Sequence, residues 1–512
     1  MSNVGGVFTI ITNTGKQDEL IMNASSLHDR LKKLSKSKID DILKQPEYSS
    51  KKASDVLKQT TDWIPKLSEV EESHILFVNS SFKPYVSLAH EYSKTLPSTT
   101  PALGQTFSFA LPKYGEFIND CVIHLRLDNF AAISGSDRVR YIEFPGHRII
   151  KKLRVKINQV TMDEYTSDRY NVNWQFRVPK DKEVAYMRNM GQEVPKQGYV
   201  TADPLVDEVR EYRLIGNGPQ TFKGTQPALD LWIPVLSWFK DVHSSLPNFL
   251  FAHGTVELEI ELEQESNLVA YGNYSGGLGN IYTPPTVTVC ELYAKHIFVD
   301  PIVHNIFMKR FGFQLIRVSQ THKIAGIKTP EDSIHLHQLK WPVENLFLGF
   351  RPTANLSNSQ RWHRNTNITS VNYPVSVVTA GSVIQVNNVV YYDENAIIDT
   401  MSLKLHDITI YPELKSTFYN SYLPMQCGKN IVAPRDIGWN MFNFNQTPGE
   451  YQPSGYINIS RGREFYLHYK SATNNSGVYY ISPSNPMDLI FVADCINFLY
   501  AQNGGAILKF ST

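Results

Sequence analysis

The chain has 512 residues, with 50 Lys and Arg against 49 Asp and Glu, 42% apolar residues and only 19% charged ones. That composition excludes global disorder and a coiled coil, and a net charge of +1 leaves no basic footprint for wrapping nucleic acid. The length suits two to four domains with sizeable cores.

The chain opens on Met1-Ser-Asn-Val-Gly-Gly-Val-Phe8, with no charged stretch leading into an apolar run, so no signal peptide is expected. No stretch approaches the ~18 apolar residues of a membrane span, and a soluble, intracellular protein is expected. Residues 26–66 hold ten basic and six acidic side chains. Leu27, Leu31 and Leu34, then Ile39, Ile42 and Leu43, recur at the three- and four-residue spacing of an amphipathic helix, which Pro46 ends. Lys32, Lys33, Lys36 and Lys38 form its basic cluster. Such an arm could reach a membrane surface, a minor protein or a neighbouring subunit, or simply be a solvated helical extension.

Beyond residue 75 the period changes from 3.6 to 2. Leu153, Val155 and Ile157 alternate with Arg154 and Lys156, and Val256, Leu258, Ile260 and Leu262 alternate with glutamates over 255–263. Each pattern predicts a half-buried antiparallel strand with a wet outer side. Met401, Leu403 and Leu405 alternate likewise, and His406-Asp407 shifts the phase to Ile408 and Ile410, as a bulge would. Asn503-Gly504-Gly505 predicts a hairpin turn near the end of the chain. Inside this body Asp181–Met190 is the best helix candidate. Many short alternating strands with Pro- and Gly-marked turns predict an all-β architecture of sandwiches or barrels, jelly rolls foremost. Two such domains fit the length, with the boundary at Asp300-Pro301 and no visible sequence repeat between the halves.

The cysteines, Cys121, Cys290, Cys427 and Cys495, form no CxxC and lie in or beside apolar runs. Buried thiols in a reducing compartment are expected. Neither a G-x-S-x-G elbow nor a Walker loop occurs. His90-Glu91 begins like a zincin, but Lys94 stands where the second histidine belongs. Gly272–Gly279 lacks the strand and helix that a phosphate loop needs. His335 and His337 would share one side of a strand and could grip a metal, but neither His363 nor Asp332 can be placed beside them. Phe465, Leu467 and Tyr469 read as a core strand before a nucleic-acid platform. No catalytic, cofactor or metal site is expected, nor sequence-specific nucleic-acid binding. A carbohydrate-binding or hydrolysing β-sandwich, whose paired acids depend on spatial separation, stays open as an alternative.

The stretch Gln452-Pro-Ser-Gly-Tyr-Ile-Asn-Ile-Ser-Arg461-Gly-Arg463 resembles the Q-P-S-G-x-x-N-x-S-R element of the major capsid proteins of large nucleocytoplasmic DNA viruses. The ending, Ile496–Thr512, closely resembles that of the family's African swine fever virus branch. Further matches run in the same order through Phe82–Val86, Gly191–Val194, Asn217–Thr221, Leu231–Ile233, His304–Phe307 and Leu339–Pro342.

The resemblance implies a double jelly roll, two tandem eight-stranded antiparallel β-sandwiches with a short helical N-terminal extension. The expected layout is an arm over 1–74, a first jelly roll over 75–300 and a second over 301–512. It also implies a homotrimer forming a pseudo-hexagonal capsomer of an icosahedral shell, made and assembled in the host cytoplasm. The arm would face minor capsid proteins or an internal membrane. Arg461 and Arg463 sit in the most family-like segment, where one of them would hold a strand or a neighbouring chain through bidentate hydrogen bonds; an exposed strand arginine is the other reading. A scaffolding relative that leaves before maturation would share the same fold.

Overall fold

The computed structural model describes residues 87–510 apart from 134–136, 193–195, 202–209, 216–217, 252–253, 274–281, 311, 380–381, 429, 462–463 and 503–504. Two compact units result, a larger one (92–113, 117–295 and 311–512) and a smaller one whose described residues are 87–91, 114–116 and 296–310.

The strands form two β-sandwiches. The first uses β1 (Leu88–Thr95), β2 (Thr106–Ala110), β3 (Phe117–Leu127), β4 (Ile150–Ile157), β5 (Val160–Thr166), β6 (Leu229–Pro234), β7 (Val256–Leu262) and β8 (Val287–Val299). Its sheets run β1-β8-β3-β6 and β2-β7-β4-β5. The second uses β9 (Phe313–Ile327), β10 (Glu331–His335), β11 (Pro342–Pro352), β12 (Ile398–Leu405), β13 (Ile408–Lys415), β14 (Trp439–Asn443), β15 (Phe465–Ser471) and β16 (Met487–Gln502). Its sheets run β9-β16-β11-β14 and β10-β15-β12-β13. Numbered within each half, both follow 1-8-3-6 and 2-7-4-5, the jelly-roll path. The chain is therefore a double jelly roll whose halves repeat in topology without a visible repeat in sequence.

Alternation builds the two-faced strands. On β7, Val256, Leu258, Ile260 and Leu262 are at most 1% exposed, and Glu257, Glu259 and Glu261 face out opposite β4. There Glu259 pairs with both Arg154 and Lys156, and Glu261 lies 2.5 Å from Lys151. Each buried aliphatic contributes roughly 1.5–3 kcal/mol, whereas each exposed ion pair adds about 0.2–1 kcal/mol. The apolar face therefore holds the sheet. Asn158 and Gln159, at φ 50° and 65°, supply the two left-handed residues of the tight β4–β5 hairpin.

The expected bulge at His406-Asp407 is instead the turn of a hairpin. β12 and β13 are separate antiparallel strands, paired at Leu405 and Ile408, and His406 takes φ 51° to reverse the chain. A phase shift of the apolar period reads the same whether a strand bulges or turns back, so the pattern could not separate them. Ile408 is 70% exposed and continues no core face. At the chain's end, the Gln502–Gly505 pairing of β16 with Gly505–Leu508 is what the predicted hairpin requires.

Helices are few. The predicted one over 181–190 appears as a 3-10 turn at Lys180–Lys182 followed by α2 (Glu183–Asn189). Besides single turns at Pro145–Arg148 and Thr353–Leu356, three others among the described residues had no sequence signal: α1 (Ser167–Phe176), α3 (Pro301–Arg310), and α4, a π turn at Phe418–Tyr422 running into an α turn at Leu423–Gln426. α1 lacks a polar stripe because every side chain from Arg169 to Phe176 is buried. α3, in the smaller unit, starts at a proline, and Asp300 caps it by accepting from the Ile302 N–H at 2.8 Å.

Candidate assembly interface

The two sandwiches present their outer faces differently. β11 is buried at every position from Pro342 to Pro352, and β16 is buried continuously from Met487 to Asn497. Such runs belong to strands covered on both sides. The cover comes from α1, which leaves the first jelly roll directly after β5. Val172 and Phe176 of α1 join Phe347, Trp439, Met441, Ile490 and Val492 of the second jelly roll in one buried cluster. The Phe176 and Phe347 rings lie 4.7 Å apart.

Charge reinforces that junction. Arg169 donates to Asp494 of β16 at 2.8 Å, and Arg177 donates to the other carboxylate oxygen. Asp168 accepts from Arg351 at 2.7 Å. Burial alone would raise the Asp494 pKa, but Arg177 and Arg169 outweigh it and hold the carboxylate below its ordinary range. Gln175 accepts from the backbone N–H groups of Arg435 (2.8 Å) and Asp436 (3.0 Å). The Arg435 guanidinium donates to the carbonyls of Trp174 (2.6 Å) and Val178 (3.1 Å) and lies 4.0 Å from the centroid of the Trp174 ring. These contacts tie the first jelly roll to the second through α1 and the segment after it.

The outer face of the β1-β8-β3-β6 sheet is different. Trp232 is 39% and Tyr92 53% exposed. Trp232 stacks on His124 at 4.2 Å and tilts against Tyr293 at 5.6 Å. Around them His124 meets Asp230 at 3.2 Å, Lys94 pairs with Glu291, and the Tyr293 hydroxyl donates to Glu291 at 2.8 Å. An aromatic patch ringed by paired charges has the composition of a protein contact surface. A second apolar patch lies on α4 and beside it, where Met425 is 66%, Tyr422 50% and Ile437 40% exposed.

Of the residues singled out from sequence, Arg461 closes a 3-10 turn (Ile459–Arg461) after the short strand Ile457–Asn458, which pairs with Pro342 and Val343 of β11; its side chain lies outside the described structure. Arg463, Lys32, Lys33, Lys36 and Lys38 lie outside the described residues. His335 and His337 have ring centroids 5.6 Å apart, and His335 stacks on Tyr466. His363 sits elsewhere, against Phe144 and Trp362, while Asp332 accepts from Thr329 and from the Ser333 N–H. Among the described residues no group of three or more His, Cys, Asp or Glu could hold a metal. Phe465, Leu467 and Tyr469 are core residues, at most 2% exposed. All four cysteines are buried and unbridged. Sequence reasoning missed α1 and Arg169; the short apolar runs Leu346–Phe350 of β11 and Leu489–Ala493 of β16 were the available signal, since such runs fit strands covered on both faces.

A duplicated jelly roll tied together through α1, with further apolar patches at its surface, defines a structural building unit of the double jelly-roll class. Comparison with known proteins agrees. The family described as major capsid protein N-terminus matches residues 76–300, and that described as large eukaryotic DNA virus major capsid protein matches residues 299–506. A hexon protein p72 of African swine fever virus is 28% identical, over 99% of this chain and 100% of its own. The major capsid protein of Phaeocystis pouchetii virus is 18% identical, over 76% of this chain and 87% of its own. Among solved structures, the Faustovirus major capsid protein superposes with a TM-score of 0.71 at 27% identity, covering 95% of this chain and all of the other. A PBCV-1 capsid chain, at 17% identity and TM-score 0.60, covers 84% of this chain and 98% of its own and shares the fold. The chain belongs to the major capsid proteins of large eukaryotic DNA viruses.

Proposed function

We propose that three copies of this chain assemble into a pseudo-hexagonal capsomer, and that capsomers tile an icosahedral shell. The observation that carries this reading is the duplication: two jelly rolls of one strand order, joined through α1, give six jelly rolls of one topology from three chains. A threefold ring then has a near-sixfold outline and packs hexagonally. In this reading the chain comprises an arm over 1–74, a first jelly roll over 75–300 and a second over 301–512. It acts without catalysis, by burying surface against its own copies. The basic arm with Lys32, Lys33, Lys36 and Lys38 faces minor capsid proteins or an internal membrane, Arg461 or Arg463 ties a strand or a neighbouring chain, and assembly takes place in the host cytoplasm.

The test is the native mass of the purified protein by light scattering after size-exclusion chromatography. Three chains of 58.3 kDa give about 175 kDa. A particle of that mass that survives dilution supports the capsomer. A folded monomer at high concentration overturns it.

A further inference from the structure

The two jelly rolls repeat each other in more than strand order. Each sends a helix out directly after its fifth strand, α1 after β5 and α4 after β13. Both begin with the same spaced residues: Ser167, Tyr170 and Asn171 in one, Ser416, Tyr419 and Asn420 in the other. Both tyrosines are 0% exposed, and both asparagines are buried. Counting from the shared serine, the α1 residues that dock on the second jelly roll, Arg169, Val172 and Phe176, fall at the positions of Phe418, Ser421 and Met425. In α1 these positions are buried. In α4 Ser421 and Met425 are exposed and Phe418 is half-buried, stacked on the exposed Tyr422 at 5.3 Å.

The receiving sheets repeat as well. Each sixth strand carries an outward tryptophan: Trp439 of β14, 0% exposed in the cluster with Val172 and Phe176, and Trp232 of β6, 39% exposed. One helix and one sheet face are thus mated within the chain, whereas Ser421, Tyr422 and Met425 of the equivalent helix and Tyr92 and Trp232 of the equivalent sheet face stay exposed.

We propose that α4 of one copy seats on the outer β1-β8-β3-β6 face of a second copy, with Phe418, Tyr422 and Met425 against His124, Trp232 and Tyr293. The contact repeats between chains the junction that α1 makes within one. It is head to tail, so it propagates around a ring, with intrachain and interchain junctions alternating. The inference rests on the trimeric reading and adds to it which surfaces meet.

The test uses the full-length protein with Met425→Asp and Trp232→Asp, each placing a charge in one half of the proposed contact. Each variant alone should raise the concentration at which trimers dissociate by on the order of 30-fold or more, and Ile408→Asp, on the exposed end of β13, should not. An equimolar mixture of the two variants keeps one intact helix and one intact sheet face, and should give a two-chain particle of about 117 kDa from chains of 58.3 kDa. Should a variant fail to fold, the double variant Met425→Cys with Trp232→Cys, treated with a short bismaleimide, should yield covalent two- and three-chain species joined at those positions. Trimers that tolerate Met425→Asp, or a mixture that stays monomeric, or cross-links that never join chains, overturn the contact while the trimer stands. A wild-type monomer overturns the trimer itself.

Discussion

Arg169 of α1 donates to Asp494 of β16 across 2.8 Å, although the two lie 325 residues apart in sequence and their side chains are only 8% and 4% exposed. The pair ties the first jelly roll to the second at a point where neither charge can retreat into water. Removing one partner strands the other, a far larger penalty than the net worth of the pair.

Asp494→Ala should therefore destabilise the protein by about 3–5 kcal/mol, leaving Arg169 without its carboxylate. The triple replacement Arg169→Met, Arg177→Met and Asp494→Leu, which leaves neither arginine of the cluster without a carboxylate, should recover most of that loss. Urea unfolding of the three proteins measures it, and equal midpoints for Asp494→Ala and wild type would show that the pair does not hold the junction.

A second prediction contrasts adjacent residues of β7. Leu258 is 0% exposed in the core, so Leu258→Ala should cost about 2–5 kcal/mol through lost transfer energy and the cavity left behind. Glu259, whose pairs with Arg154 and Lys156 lie on the solvent side of the sheet, should cost under about 1 kcal/mol as Glu259→Ala, and less in high salt. A Glu259→Ala loss as large as that of Leu258→Ala would contradict this division of labour.

The junction is also expected to weaken in acid. His147 is fully buried, 3.0 Å from Asn171 of α1 and 2.9 Å from the Tyr186 hydroxyl of α2. Burial drives its imidazole down to about 3. The unfolded chain protonates near pH ~6.5, so the stability carried by the neutral ring is complete above that pH. It is lost as pH falls from there toward 3, by up to ~1.4 kcal/mol per pH unit. Asp163 works the other way, because burial pushes its carboxyl up to about 7 and the folded form then holds a proton that the unfolded chain releases. The clean readout is the difference between proteins: His147→Gln should lose less stability than wild type between pH 6.5 and pH 4. Parallel curves would sink the assignment.

The thiols should be inert in the folded protein. Burial pushes Cys427 up to about 11 and Cys290 up to about 12, and drives Cys121 and Cys495 upward as well. A disulfide reagent at pH 8 should find no reactive thiol in the native protein and all four after denaturation. Rapid labelling of the native protein would contradict the burial of these strands.

Much of the architecture was legible without coordinates, for a physical reason. A strand with one wet face must alternate, and β4, β7 and β15 display that period, so the all-β class and the inward residues follow from sequence alone. The short apolar runs Leu346–Phe350 of β11 and Leu489–Ala493 of β16 likewise fit strands with no wet face, although charged residues flank them. What lies over them was not legible. α1 is enclosed on all sides and carries no 3.6-residue stripe, and its partners, Arg351, Asp494 and Trp439, are hundreds of residues away. The kinship of α1 with α4 rests on a serine, a tyrosine and an asparagine that matter only once both are seen to leave the same strand of the same fold. Local pattern determined which faces of the strands point inward; only the tertiary structure decided that α1 covers the outer face of the second jelly roll while Trp232 and Tyr92 stay exposed on that of the first.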